Sequence, residues 1–203
     1  MRAYVEWQNA LLDHAAIVRD LFVESPLAHP SVMMRAQALR ALGGYRDFDG
    51  PEDYDLWLRA RGMGLCFAKT PETLLSWRDT PARLTRRDPR YAPGRFLALK
   101  IEALERGPLG PGRAAVVWGA GPVGKGWAKA LLARGHTVAA FVEVDRRKIG
   151  GTIHGAPVVG VDSAVGKDAL HLAAVGQRGA REKIRAEAAR RGLVDGRDLL
   201  AVA

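Results

Sequence analysis

The sequence predicts an α/β chain, and three observations carry that expectation. From residue 114 to 202, short apolar runs alternate with amphipathic helical patterns, the order expected of a parallel sheet with covering helices. One strand-to-helix turn in that stretch reads GxGxxG, with glycines at Gly119, Gly121 and Gly124. A Gly/Pro-dense string, Gly107-Pro108-Leu109-Gly110-Pro111-Gly112, cannot continue a helix. It divides the chain into residues 1–106, a linker at 107–112 and a second domain at 113–203.

The first part reads as irregular. Apolar spacing suggests a helix at 10–22, an extended piece at 31–35 and a short helix at 36–42. Gly43-Gly44 marks a turn, because paired glycines relieve the backbone where it must reverse. A helix follows at 52–61, opened by Pro51 and three acids. Extended pieces at 65–69 and 74–78 and an apolar-faced helix at 93–106 complete this half. The second part offers a buried strand at 114–118, a helix at 123–134 and a strand at 137–142. Short extended pieces near Ile153 and Val158, a strand at 170–175, a helix at 180–191 and a strand at 199–202 follow.

Composition narrows the class. The 203 residues are 48% hydrophobic and 26% charged, the balance of a soluble globular chain rather than a disordered or fibrous one. No apolar run nears the roughly 18–20 residues of a membrane helix, and the first residues lack a signal-peptide core. A cytoplasmic protein without a membrane span is therefore expected. The net charge of +9 is concentrated after residue 110, where 15 basic side chains face 8 acidic ones. No basic run with interleaved aromatics accompanies it, so no nucleic-acid partner is expected. The one cysteine, Cys66, excludes an internal disulfide and reads as a core residue.

Each glycine of the loop has a physical task. Gly119 permits the tight turn, Gly121 lets a pyrophosphate approach the backbone, and Gly124 lets the helix pack against the strand. Pro122 suits a first helical turn, where its missing N–H costs nothing. The helix N-terminus then presents free N–H groups to phosphate. Glu143 and Asp145 stand at the end of the next strand, where a ribose-binding carboxylate belongs. They would repel a 2′-phosphate, which favours NAD over NADP. The rival phosphate loop, GxxxxGK[ST], fails because Gly126 stands where a magnesium-binding hydroxyl is needed.

The string from Gly119 onward is similar to the Rossmann-like amino-terminal domain of bacterial sugar acyltransferases. The resemblance rests on Gly119-Ala120-Gly121, on Glu143 and Asp145, on the segment from Gly151 to Gly160, and on Gly176 with Arg181. It implies a domain that binds a nucleotide-linked sugar. NAD or a UDP-sugar are the ligands it suggests, held by Gly119, Gly121, Gly124, Glu143, Asp145, Gly176 and Arg181. No catalytic β-helix follows, so acyl transfer is not expected.

In the first part, Glu52, Asp53 and Asp55 crowd the start of one helix. Acids there relieve the helix dipole by about 0.3–1 kcal/mol each, which accounts for them without any chemistry. The surroundings point further. His29-Pro30-Ser31, then Gly43-Gly44-Tyr45, then EDYDLWLR at Glu52 to Arg59, then Trp77-Arg78 together resemble the second half of bacterial family 2 glycosyltransferases. The implied fold is half of an A-type glycosyltransferase joined to a small Rossmann-like parallel-sheet domain. The resemblance makes Asp53 the general base of an inverting transfer from a nucleotide-sugar to an acceptor hydroxyl of a glycan or lipid-linked acceptor. Glu52 would assist it, and His29, Trp77 and Arg78 would lie near the acceptor or the departing diphosphate. The donor-binding half, with the DxD that holds Mg²⁺ or Mn²⁺, has no counterpart here. The chain therefore reads as a fragment or a gene started late, inactive by itself. The strings Asp47-Phe48-Asp49 and Asp53-Tyr54-Asp55 lie in the wrong place for that motif and are read as coincidence.

Arg78, Arg83, Arg86, Arg87, Arg90 and Arg95 crowd one stretch. They suit an anionic acceptor, or a solvated loop with Asp79 and Asp88 as local partners. The five histidines show no metal-ligand spacing. His136 reads as structural, and Trp7 and Trp57 as core packing. Two further functions stay open: a non-catalytic nucleotide or nucleotide-sugar module, and an NAD-dependent oxidoreductase, the latter without a Tyr-xxx-Lys pair after the glycine loop. Homo-oligomerisation is left open as well.

Overall fold

The computed structural model describes every residue except Met1, Asp79, Ala164, Val165 and Lys167. Asp79, named above as a partner for the arginines, lies outside the described residues. The protein is α/β, with eight α-helices and one six-stranded, mostly parallel sheet among the described residues. It divides into two compact units. One takes the chain up to Leu21 together with Ser25–Ala103, and the other takes Phe22–Glu24 and Leu104–Ala203.

The first unit contains helices and no strand among its described residues. The expected helix at 10–22 is instead two: α1 (Arg2–Ala10) and α2 (His14–Asp20). Asp13 accepts from the Ala16 N–H at 2.8 Å and caps α2, and capping of this kind starts a new helix rather than continuing an old one. The 31–35 segment, expected to be extended, begins as a 3-10 turn at His29–Ser31. Helix α3 (Ala36–Ala41) ends in the Gly43-Gly44 turn, where both φ angles are positive and the Gly44 N–H reaches back to Leu39 O. Helix α4 (Glu52–Gly62) forms the centre of the unit, burying Tyr54, Leu56, Trp57, Leu58 and Ala60. The short α5 (Leu84–Arg87) leads to α6 (Pro93–Glu105), whose Phe96 ring lies 5.6 Å from that of Tyr54.

The expected strands at 65–69 and 74–78 do not form. These segments pair with no strand, and Leu74 is 79% exposed. Cys66 lies on this run and is exposed, which corrects its reading as a core residue. The Lys69 N–H, bonded to Leu12 O at 2.8 Å, and the Phe67 N–H, bonded to His14 Nδ1 at 3.2 Å, tie the run to the first two helices and their connection.

The second unit is built on β1 (Ala115–Trp118), β2 (Val138–Glu143), β3 (Thr152–Ile153), β4 (Ala156–Gly160), β5 (Leu170–Ala173) and β6 (Leu199–Ala201). Their order is β3-β4-β2-β1-β5-β6, and only β3 is antiparallel to its neighbour. Every residue of β1 is buried, with Val117 paired to Phe141 on one side and Leu172 on the other. Helices α7 (Pro122–Ala133) and α8 (Ala180–Arg190) connect the strands. From β1 the chain steps to β2 on one side, and β5 later takes the other side. Ligands in open parallel sheets sit at the strand carboxyl ends where the winding reverses in this way. Residues 107–112, expected as a linker, form hydrogen-bonded turns with Leu109 buried. Below them Glu105 accepts from Arg134 and pairs with His136, and the Arg134 guanidinium first, then His136, holds its carboxyl down at about 2. His136 is thus structural, as expected.

Candidate functional site

In the first unit, the three acids at the start of α4 have three different fates. Spacing decides this: Asp55 shares a helix face with Arg59, whereas Asp53 shares one with Trp57. Asp55 is 2% exposed, and its carboxylate accepts from Arg46 Nε at 3.0 Å, from Arg46 Nη2 and from Arg59 Nε at 2.8 Å. Arg59 extends further, donating to Leu42 O at 2.5 Å and Gly44 O at 2.8 Å. Asp55 is therefore structural, anchoring the Gly43-Gly44 turn to α4.

Glu52 is held at the edge of the same helix. Its Oε2 accepts from the Tyr91 hydroxyl at 2.8 Å, and its Oε1 lies 4.0 Å from His29 Nδ1. His29 Nε2 and the Tyr45 hydroxyl are 2.8 Å apart. Burial first, then its bond to Glu52, pushes the Tyr91 hydroxyl up to about 12. Burial, then Asp53 and Glu52, raises that of Tyr45. Both phenols stay protonated.

Asp53 sits between these groups and is half-buried. Its Oδ1 accepts from the Tyr54 N–H at 2.7 Å. Burial raises its pKa, and the neighbouring Glu52 charge adds to this. The Tyr54 N–H and His29 only partly oppose them. Four residues on, Trp57 is 1% exposed, and its ring meets His29 edge-on at 6.4 Å. Its indole Nε1 is buried without a hydrogen-bond partner among the described residues. A buried unpaired donor costs about 1–3 kcal/mol. The structure therefore brings together His29, Glu52 and Asp53 and adds Tyr45, Trp57 and Tyr91.

Among the described residues, no hydrogen bond, ion pair or ring contact joins Trp77 or Arg78 to this cluster. Trp77 is 47% exposed and stacks under the Arg83 guanidinium at 4.0 Å. Of the arginine-rich stretch, Arg90 is tied to Asp88, the expected local partner, whereas Arg95 pairs with Asp49, 46 residues away. The DxD strings do not fit a metal. Asp49 and Asp55 are bound to arginines, and among the described residues no group of three or more His, Cys, Asp or Glu could hold an ion.

A raised carboxyl pKa has a stability consequence. The folded state holds the Asp53 proton more tightly than the unfolded chain does. Its favourable contribution is complete below the unfolded value near ~3.9 and is lost as pH rises through the folded one. Ionised Asp53 therefore costs stability at neutral pH. Asp53→Asn keeps the acceptor for Tyr54 and is expected to stabilise the chain by about 0.5–2 kcal/mol at pH 7. Denaturant melts at pH 7 and pH 3.5 check this, because the gain should shrink at the lower pH.

The second unit's loop has the geometry its glycines demand. Gly119 has φ +104, and a Cβ there would meet Val175 Cγ2 at 2.4 Å. A Cβ on Gly124 would lie 1.9 Å from Gly119 O, so only glycine lets α7 start here. At Gly121, which caps α7, a Cβ would meet nothing within 4 Å. That space is open on the side where a phosphate would meet the helix N-terminus, and Pro122 occupies the first turn as expected.

Glu143 does not face this space with a free carboxylate. It is 9% exposed, and its oxygens accept from the N–H groups of Ala120 (3.0 Å), Val144 (2.8 Å) and Asp145 (3.2 Å) and from Lys148 Nζ (3.1 Å). Burial alone would raise its pKa. The Val144 N–H, the Lys148 ammonium and the N–H groups of Asp145 and Ala120 outweigh burial and hold it below the ordinary range. Asp145 is clasped by Arg147 through Oδ1 and Oδ2, both at 3.0 Å. The two acids expected to repel a 2′-phosphate are each paired with a cation of the same segment. Arg181, expected at the nucleotide, donates to Ala203 O at 3.2 and 3.1 Å instead. Gly176 follows β5 at its carboxyl end and is exposed. Because the Glu143 pKa is lowered, its contribution exists above the unfolded value and is lost as pH falls through the folded one. Glu143→Gln is expected to cost about 1.5–3 kcal/mol at pH 7, measurable by urea unfolding, with the cost shrinking in acid.

Sequence reasoning passed over Tyr91, which lies 39 residues from Glu52 in a stretch marked only by its arginines. Tyr45 was visible in the Gly43-Gly44-Tyr45 turn but carried no role. No model of a known protein family and no curated protein matches the chain. No helix among the described residues is long and apolar enough to cross a membrane.

Proposed function

We propose that this is a glycosyltransferase-like protein. Its first unit supplies the acceptor side and general base of an inverting sugar transfer, and its second unit is a Rossmann-like domain that binds a nucleotide or nucleotide-sugar. The observation that carries the first part is the raised proton affinity of half-buried Asp53, set among His29, Tyr45, Glu52 and Tyr91. A carboxylate whose pKa moves toward working pH takes a hydroxyl proton more effectively. Asp53 would accept the proton of an acceptor hydroxyl as its oxygen attacks the anomeric carbon. Tyr91 fixes Glu52 so that its charge stays beside Asp53. A divalent cation would stabilise the departing diphosphate. No group among the described residues fits one, so in this reading its ligands would come from a donor-binding half.

The chain by itself is expected to give no measurable transfer with Mg²⁺ or Mn²⁺. Holding both reactants in line and stabilising the leaving group supply most of the rate. Fused behind a donor-binding half with its own metal motif, it is expected to transfer sugar with inversion from one of a panel of UDP-, GDP- and dTDP-sugars. Silence of that fusion across the panel would leave the acids with their helix-start role alone.

The second reading, a nucleotide-binding module without catalysis, is favoured by the open space at Gly121. Calorimetry with NAD, NADP, UDP and UDP-sugars is expected to find a binder that Gly121→Val removes.

A further inference from the structure

The second unit buries a histidine that neither site uses. His171, on β5, is 1% exposed and stands opposite Val116 of β1. Two residues along β1, on the same face as Val116, Trp118 is 3% exposed and ends the strand. Trp118 Nε1 donates to His171 Nδ1 at 2.9 Å, and His171 Nε2 lies 3.3 Å from Gly166 O. The indole bond joins two neighbouring strands just before Gly119. Trp118 packs there with Val116, Ala188, Leu193 and Leu199.

An indole N–H only donates. His171 Nδ1 is therefore the unprotonated nitrogen, and the neutral ring carries its proton on Nε2, toward Gly166 O. In the charged ring both nitrogens are donors, so an Nδ1–H would point at the Trp118 N–H. The surroundings offer that ring little compensation. Arg113 and Arg191 face it as cations. Arg191, paired with Glu187, lies 5.8 Å from the Trp118 ring and donates to Ser163 O at 3.0 Å. Asp198 is the facing carboxylate, but it is bonded to Arg197 at 2.8 Å and lies 3.9 Å from Arg113. Burial first, then the two arginines, outweigh Gly166 O and Asp198 and lower the His171 pKa.

We propose that Trp118, His171 and Gly166 form an acid-sensitive latch in the second unit: it closes around a neutral ring, and a proton taken up at His171 opens this face of the sheet. The proton enters on Nδ1, the Trp118 bond breaks, and no free counter-charge replaces it. An unfolded histidine takes that proton near ~6.5, whereas the closed latch does not. The contribution of the latch to stability is complete above ~6.5 and is lost as pH falls through the lower folded value. Between the two values the opening constant rises by up to about tenfold per pH unit, the limit for one proton. The latch holds whether or not the unit binds a nucleotide.

Nitrogen NMR on the full chain between pH 8 and pH 5, assigned by triple-resonance experiments, tests it. At neutral pH the His171 ring is expected to carry its proton on Nε2 and to titrate below ~6.5. The Trp118 indole N–H should lose its protection from hydrogen exchange in step with that titration. Urea unfolding supplies a second readout. His171→Asn leaves an amide oxygen for Trp118 and nothing to titrate, so it is expected to flatten the fall in stability between pH 7 and pH 5. A ring that titrates at or above ~6.5, a Trp118 N–H unmoved when His171 takes its proton, or a pH dependence that His171→Asn leaves unchanged would overturn the proposal. The first two are read on the unaltered chain, so they decide the matter even if the variant fails to fold.

Discussion

Replacing Asp53 with asparagine in a transfer-competent fusion is expected to lower the rate about 10²–10⁴-fold, the usual worth of a positioned general base. The amide keeps the size of the side chain and its acceptor for the Tyr54 N–H, so packing around Trp57 is preserved. What disappears is the ability to take a proton. Donor affinity should survive, because Asp53 faces the acceptor side in this reading, and the loss should appear in kcat. Steady-state kinetics with the preferred donor measure it. A variant that works at the normal rate would reduce Asp53 to an acid near a helix start.

Asp55→Ala is expected to have the largest effect on stability, about 3–5 kcal/mol. The carboxylate is buried and bonded to both Arg46 and Arg59. Its removal leaves Arg59 without its counter-charge and Arg46 with Glu102 alone, 3.8 Å away. It also loosens Arg59, which holds Leu42 O and Gly44 O. The turn that carries Tyr45 would shift with it. Urea unfolding of the single variants and of Asp55→Ala with Arg46→Ala checks this as a coupled set, because residues sharing one network do not add. A cost below about 1 kcal/mol, the range of exposed pairs, would contradict the buried-network account.

The contrast between Asp53 and Asp55 shows how far the sequence could be read. Their spacing on a helix places them on different faces, and the Asp55–Arg59 spacing marks an ion pair. Both were visible in the string. Which face was buried, and that Arg46 closes on Asp55 from the preceding turn, depends on contacts nine residues apart that no local pattern encodes. Elements after residue 114 were legible to within two residues because β1, β2 and β5 are buried apolar runs between Gly-rich turns. The first unit was harder. Asp13 divides what apolar spacing joined, and Leu74 and Leu75 look like strand residues yet find no partner strand. Extended propensity becomes a strand only where a neighbour supplies hydrogen bonds. Glu143 was located correctly at the end of β2, but four donors that come together only on folding have taken its acceptor positions.

The measurement closest to the centre of this account is the titration of the Asp53 carboxyl in the full chain, followed by carbon-detected NMR and assigned through Asp53→Asn. Burial and the Glu52 charge predict a midpoint above the ordinary aspartate range near ~3.9. Glu52→Gln should bring it down, because that variant removes the charge while an amide oxygen remains for the Tyr91 hydroxyl. A midpoint at or below the ordinary range, unmoved by Glu52→Gln, would contradict the assignment of Asp53 as the base.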